Sequence, residues 1–316
     1  MTPRDRLFGL TVIVLWGLNF LAIRVGLDHF PPFFFAALRF LIIAIPVVIF
    51  VPRPQVPLRW LLLYGFGFGF GQFVFLFWAM HSGMPTGLAS LVLQSSAPFT
   101  VLLGAFLLRE KLSVWQVSGI AVAVAGMSLI GWDRSHHAAL LPVILTLLGG
   151  LSWAFGNLGS RLAAANTVGE PAPMRLMLWM CVIPPLPMLA LSAVVEGPII
   201  GWHALGTAFS ADAWPSLVGL AYIIVLGTIA GSGLWTMLMG RYPAGMVAPL
   251  SLLVPVVGIG ASWLFLHEEP SPLSLVGAVV VIAGASAAQM RRKPENPENT
   301  VFSDTPTASP PARLGV

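Results

Sequence analysis

At ten places this chain runs for about twenty residues with almost no charge: 7–26, 33–51, 60–80, 87–108, 114–131, 140–161, 173–195, 216–238, 246–266 and 273–290. A helix needs roughly 20 mostly apolar residues to cross about 30 Å of hydrocarbon, and each run meets that length. Composition removes the alternative of one large soluble core. Of the 316 residues, 57% are hydrophobic and 9% charged, against roughly 25% charged in soluble domains. A water-soluble fold has no surface on which to place so much apolar side chain. The pattern predicts an all-α membrane protein of ten transmembrane helices, with the lipid bilayer as its first partner.

The flanks refine this. Arg4 and Arg6 precede the first run as they would in a secretory signal, but no small-residue cleavage site follows and Arg24 interrupts the exit; the run is read as a retained span. The longest connection, 196–215, carries Glu196, Trp202, Asp212 and Trp214 and is expected at the interface. The end, 291–316, is polar and Pro-rich, has too little apolar content to fold, and is read as a disordered cytoplasmic tail. The single cysteine, Cys181, excludes an intrachain disulfide.

Ten spans put both termini on one side. With the N-terminus in the cytoplasm, the inner segments collect Arg4, Arg6, Arg53, Arg59, Arg109, Lys111, Arg161, Arg241, Arg291, Arg292, Lys293 and Arg313, and the outer loops only Arg134. That bias predicts an N-in, C-in topology. It also explains the basic isoelectric point, about 9.8: the cations are spread along inner loops, with no cluster that would fit nucleic acid. Arg24, Arg39 and Arg175 fall within spans, and all six histidines fall outside.

The chain also resembles itself. "WGLNFLAIR" (16–24) matches "WAFGNLGSR" (153–161), with Trp and Arg eight apart in both and Asn19 answering Asn157 one position off. Residues 83–128 match 241–286 at a constant offset, pairing Pro85 with Pro243, Gly87 with Gly245, Glu110 with Glu268, Ser113 with Ser271, Gly119 with Gly277 and Gly126 with Gly284. Spans four and five thus recur as nine and ten. The expected units are 1–131 and 140–290, each of five spans. Five is odd, so the second copy enters the membrane inverted, an arrangement found in secondary transporters whose halves rock about a midplane site.

These motifs carry a family resemblance. "WGLNF" in span one, "ALRF" (37–40) in span two, "GMPTGLASLVLQSSAPF" into span four and "RYPAGMVAPLSLLVPVVG" (241–258) in span nine resemble the EamA family of the drug/metabolite transporter superfamily, over nearly the whole chain to about residue 290. The resemblance implies ten helices, a bacterial inner-membrane location and outward transport. Within the family the likeness is to exporters of amino-acid metabolites such as cysteine and O-acetylserine, which implies a small amino-acid-like cargo. "HEEP" (267–270) stands where the first copy has "REKL" (109–112), a departure from symmetry.

The candidate binding residues are polar or aromatic side chains inside spans. Asn19 and Asn157 should point away from lipid, either as interhelical hydrogen-bond glue or as cavity lining. Trp16 and Trp153 lie about a turn from them. Arg39 lies about seven residues, or roughly 10 Å, inside the outer end of span two; it either snorkels outward or meets a substrate carboxylate by a forked contact. Gln72 and Gln94 cannot bond their own helix as readily as hydroxyls such as Ser95, Ser96, Ser232 and Thr236. Ser251 adjoins the break expected at Pro255. Pro98 and Pro255 sit mid-span in matching places, where each frees carbonyls one turn earlier; they are gating candidates. Pro46 and the cluster Pro184, Pro185 and Pro187 make a second expected pair. "GFGFGFG" (65–71) lacks the residues of a phosphate loop. On a helix it gives two small-xxx-small pairs, Gly65/Gly69 and Gly67/Gly71, that let neighbours approach closely, as do Gly227 and Gly231. Glu110 and Glu268 each precede a capping serine by three residues and, with His267, are the candidates for coupling.

The residues leave other readings open: a carrier for a drug or nucleobase, or a membrane sensor or partner protein that moves nothing. An intramembrane enzyme lacks its signatures here, with no H-E-x-x-H pair, paired intramembrane aspartates or nucleophile elbow. No cofactor or metal is expected.

Overall fold

The computed structural model describes residues 1–109, 112–135, 140–168, 172–242 and 247–288, and every regular element among them is helical. Seven helices are long and apolar enough to cross a bilayer: Pro3–Leu27, Pro32–Phe50, Leu58–His81, Thr86–Leu108, Leu140–Ala165, Pro173–Val195 and Trp214–Leu238. Three shorter apolar helices, Val114–Ile130, Leu250–Leu266 and Pro272–Gly284, lie on the remaining expected runs. Numbered in chain order, these helices carry the labels span one to span ten below, after the runs on which they lie. Large apolar side chains such as Phe50, Phe106, Val194 and Val279 stand exposed on the outside of the bundle, which water would penalise and lipid does not. Inside, Phe30, Phe34, Phe35, Phe40 and Phe77 are fully buried and give spans two and three a packed aromatic core.

Spans one and six cross between the halves. Span one packs on spans eight and nine, and span six packs on spans three and four; span two lies against span seven, and span five against span ten. Glycines make the crossings close. A Cβ on Gly17 would stand 2.5 Å from Val257, and one on Gly126 would stand 2.8 Å from the Val281 backbone. "GFGFGFG" divides as its spacing predicts: Gly65 and Gly69 face Ile183, Met180 and Pro184 of span seven, while Gly67 and Gly71 face Gly156 and Ser152 of span six.

The helices break at matching places. Span three winds as a π-helix over Gly65–Gly71 and span eight over Tyr222–Gly231. Span four has a 3₁₀ turn at Leu93–Ser95, and span nine has one at Ala248–Leu253. Both pairs fall at the 158-residue offset of the sequence repeat. So do two left-handed helix ends, Arg109 (φ 56°) and His267 (φ 53°), whose amides donate to Gly104 O and Ser262 O. A left-handed turn costs an L-residue about 1–2 kcal/mol, so its recurrence at paired positions marks a shared device. The second proline pair behaves differently. Span seven opens between Met180 and Pro185, but span two continues as one helix through Pro46. Pro46 is alone and on the exposed side, where a helix absorbs one missing bond by a small adjustment.

Connections fasten the helix ends. Glu196, in the 196–215 segment, accepts from the Phe33 and Phe34 amides at 2.6 and 3.0 Å. These donors belong to the first turn of span two, where prolines offer no side-chain cap. A short helix, Ile200–Thr207, follows, and Ala204 O meets His29 Nε2 at 2.7 Å. At the other end of the bundle, buried Asp5 accepts from Tyr242 Oη at 2.6 Å, Arg241 Nη1 at 3.1 Å and Thr2 Oγ1 at 2.8 Å. Span one is thereby tied to the end of span eight.

Candidate functional site

The expected site residues form two groups, joined by a ladder of aromatic rings. The first group gathers on the π-helical turn of span eight. Trp16 Nε1 donates to Gly227 O at 3.0 Å, and its ring lies 5.2 Å from that of Trp235. The Asn19 amide packs directly against Gly227, where any Cβ would collide with it. Arg39 is buried, 5% exposed. Its Nε and Nη2 donate to Thr228 Oγ1 at 3.2 and 2.9 Å, and Phe73 covers the guanidinium at 4.0 Å from its ring centre. Of the two fates open to Arg39 in the sequence, snorkelling is not the one adopted.

The second group surrounds span six. Gln94 Nε2 donates to Ser251 O at 2.8 Å, joining the two 3₁₀ turns of spans four and nine. Ser95 packs on Gly150, and the Gln72 backbone packs on Gly149. Asn157 Nδ2 donates to Thr100 Oγ1 at 3.0 Å. The Trp153 ring lies edge-on to Phe68 at 5.8 Å, Phe68 edge-on to Phe73 at 6.0 Å, and Phe73 carries Arg39. The two groups are therefore one continuous polar and aromatic layer through the bundle.

That layer is incompletely satisfied. Asn19 Oδ1, Arg39 Nη1, Gln72 Oε1 and Ser95 Oγ are all buried with no hydrogen-bond partner. A buried polar atom without a partner typically costs about 1–3 kcal/mol. Among the described residues five buried side-chain atoms lack a partner, and four of them fall in this layer, the fifth being Trp60 Nε1.

Of the gating and coupling candidates, Glu268 and His267 lie at the histidine-bearing end. Glu268 accepts from Thr86 Oγ1 at 3.0 Å and from the Gly87 amide at 3.4 Å, so it caps span four as Glu196 caps span two. Ser113 and Ser271 cap the helices that follow them, as their spacing predicts. Cavities of about 350 and 200 Å³ flank Glu268; Arg24, His81 and Glu269 border the first, Ser262 and Ser274 the second. None of the eight expected binding residues borders either one. Arg24 is half exposed and pairs with Asp28 at 3.0 Å on the same helix. His267 holds its left-handed corner, Pro98 and Pro255 lie in the first turn of the helices that follow the two 3₁₀ turns, and Glu110 lies outside the described residues.

Asp5 and Thr228 escaped the sequence reading, and Glu196 entered it only as part of the interfacial connection, not as a cap. A sequence signal existed for the seat of Thr228: Tyr64/Tyr222 and Gly69/Gly227 recur at the same 158-residue offset, which extends the repeat into spans three and eight.

A bundle of apolar helices with large apolar side chains on its outside, broken at repeat-related positions and enclosing polar side chains, has the features of a polytopic transporter. The sequence pattern of the EamA-like transporter family matches residues 6–132 and again 140–288. A protein of Escherichia coli (strain K12) named "Probable amino-acid metabolite efflux pump" is 43% identical over 286 residues, covering 90% of this chain and 94% of its own. A "Probable terminal-alkyne amino-acid exporter" from Streptantibioticus cattleyicolor is 26% identical over 88% of this chain and 91% of its own. A solved crystal structure at 22% identity, covering 91% of this chain and 98% of its own, aligns with a TM-score of 0.58 and shares the fold. The chain belongs to the EamA-like transporter family and is a multi-pass transporter of the bacterial inner membrane.

Proposed function

We propose that this chain exports small amino-acid metabolites of the cysteine and O-acetylserine kind, by alternating access between two inverted five-helix halves, residues 1–131 and 140–290. The observation that carries the reading is Arg39: a guanidinium buried among phenylalanines, held on one edge by Thr228, with Nη1 unpartnered. A charge at bilayer depth costs about 2.5–3.5 kcal/mol on the insertion scale and is kept where it has work to do. A carboxylate is the ligand that a guanidinium edge fits. The names of the 43%- and 26%-identical relatives support the same cargo class.

Trp16, Asn19, Arg39, Gln72, Gln94, Trp153, Asn157 and Ser251 form the binding layer. The breaks at Pro98 and Pro255 are its hinges, with Glu268 and His267 at the outer gate and Glu110 their counterpart in the first half. The reciprocal packing of spans one and six, and the paired π and 3₁₀ turns, support a two-fold relation between halves. Purified protein in liposomes, preloaded with L-cysteine or O-acetylserine, is expected to drive counterflow of labelled L-cysteine. Counterflow by nucleobases or cationic drugs with none by amino acids would replace the cargo class.

A further inference from the structure

Resting on that exporter reading, we infer that the π-helical turn of span eight reads the α-amino-acid headgroup of the cargo, with Thr228 as the residue that aims Arg39 and Asn19 as the acceptor for the amine. Thr228 Oγ1 donates to Ile223 O at 2.8 Å, five residues back. That bond fixes the hydroxyl hydrogen and turns its lone pairs toward Arg39 Nε and Nη2. One edge of the guanidinium is thereby occupied, and Phe73 covers a face. Nη1 is left buried without an acceptor. A donor of this kind gains most from a ligand carboxylate.

One residue earlier the turn has Gly227. Its missing side chain is the space in which the Asn19 amide lies, and its carbonyl accepts from Trp16 Nε1. Asn19 Oδ1 is buried and lacks a donor, which an ammonium supplies. Two consecutive residues thus bring a free cationic donor and a free acceptor to a single turn of backbone. Carboxylate and ammonium on one carbon are the chemistry that completes both. The paired turn in span three has Gly69 opposite Gly227 but Phe70 opposite Thr228. The backbone device is duplicated and the chemistry is not, so there is one headgroup site rather than two.

The test uses the full chain in proteoliposomes with labelled L-cysteine. Thr228→Val is expected to raise the half-saturating concentration roughly tenfold to a hundredfold, the loss typical of a charge-assisted contact. The maximal rate should stay near wild type, and Thr228→Ser should restore affinity. Two competitors separate the ends of the ligand. 3-Mercaptopropionate, which lacks the amine, should weaken in Thr228→Val in step with L-cysteine. Cysteamine, which lacks the carboxylate, should change little. Asn19→Ala should show the reverse pattern, and decides the question from the amine side if Thr228→Val does not assemble. Wild-type half-saturation in Thr228→Val, or a loss that serine does not restore, overturns the role of Thr228 while leaving the exporter reading intact. Wild-type protein that moves no amino acid overturns both.

Discussion

Arg39 and Arg24 show how burial separates two residues that the sequence presents alike. Both are single cations inside apolar runs. Arg24 finds Asp28 one turn on, at a half-exposed site, where such a pair contributes about 0.3–0.5 kcal/mol. Arg39 is almost fully buried and only partly hydrogen-bonded. Arg39→Ala should therefore lower cargo affinity roughly tenfold to a hundredfold, with Arg24→Ala near wild type. Arg39→Lys should recover only part, because an ammonium keeps the charge without the planar fork that Thr228 holds. Efflux of labelled L-cysteine from cells with matched membrane levels measures this. Wild-type export by Arg39→Ala at normal abundance would remove Arg39 as the carboxylate anchor.

At the scale of the element, span three shows why a helix can be written as alternate glycine and phenylalanine. Each glycine lets a neighbour's backbone approach, and each phenylalanine supplies ring contacts between the thin faces. A Cβ on Gly67 would run into the Gly156 backbone, which no rotamer change can relieve. Gly67→Val should therefore cost several kcal/mol through overpacking, where insertions typically cost about 1–3 and occasionally more. Gly206 provides the contrast. It lies in the Ile200–Thr207 helix with open space at its Cβ position. Gly206→Ala should be neutral or stabilising by up to about 1 kcal/mol, since alanine favours the helix. Thermal unfolding in detergent compares the two, and a Gly67→Val protein as stable as Gly206→Ala would contradict the packing argument.

The whole molecule is governed by two orders, one along the membrane normal and one between halves. The basic bias predicts both termini in the cytoplasm, so a periplasm-active reporter fused after Val316 should stay silent; high activity there would overturn the topology. The expected relation between halves rests on the odd count of five spans in each. Superposing spans one to five on six to ten in an experimental structure should need a two-fold axis in the membrane plane, and an axis along the normal would refute the inversion. Fastening differs between the two ends of the bundle. Asp5 ties span one to Arg241 and Tyr242 at the basic end. Glu196 and Glu268 hold the first turns of spans two and four at the histidine end.

Much of this was legible in the chain itself. Hydropathy alone specified a helical membrane protein, because only a helix of about twenty apolar residues closes its own hydrogen bonds across hydrocarbon. The spacing of "GFGFGFG" specified two thin faces, and the offset between Glu110 and Glu268 specified where the second copy would repeat. Polar residues inside apolar runs named Asn19, Arg39 and Gln72 as candidates, because lipid leaves them few places to go. Which atoms of those residues lack partners was decided only in three dimensions. Arg39 meets Thr228 across 189 positions, and Asp5 meets Tyr242 across 237. Thr228 reads locally as one more hydroxyl that can bond its own helix, and Asp5 as an ordinary charge in a first turn. Their roles arise from which helix packs beside them, and that depends on the joint packing of every span.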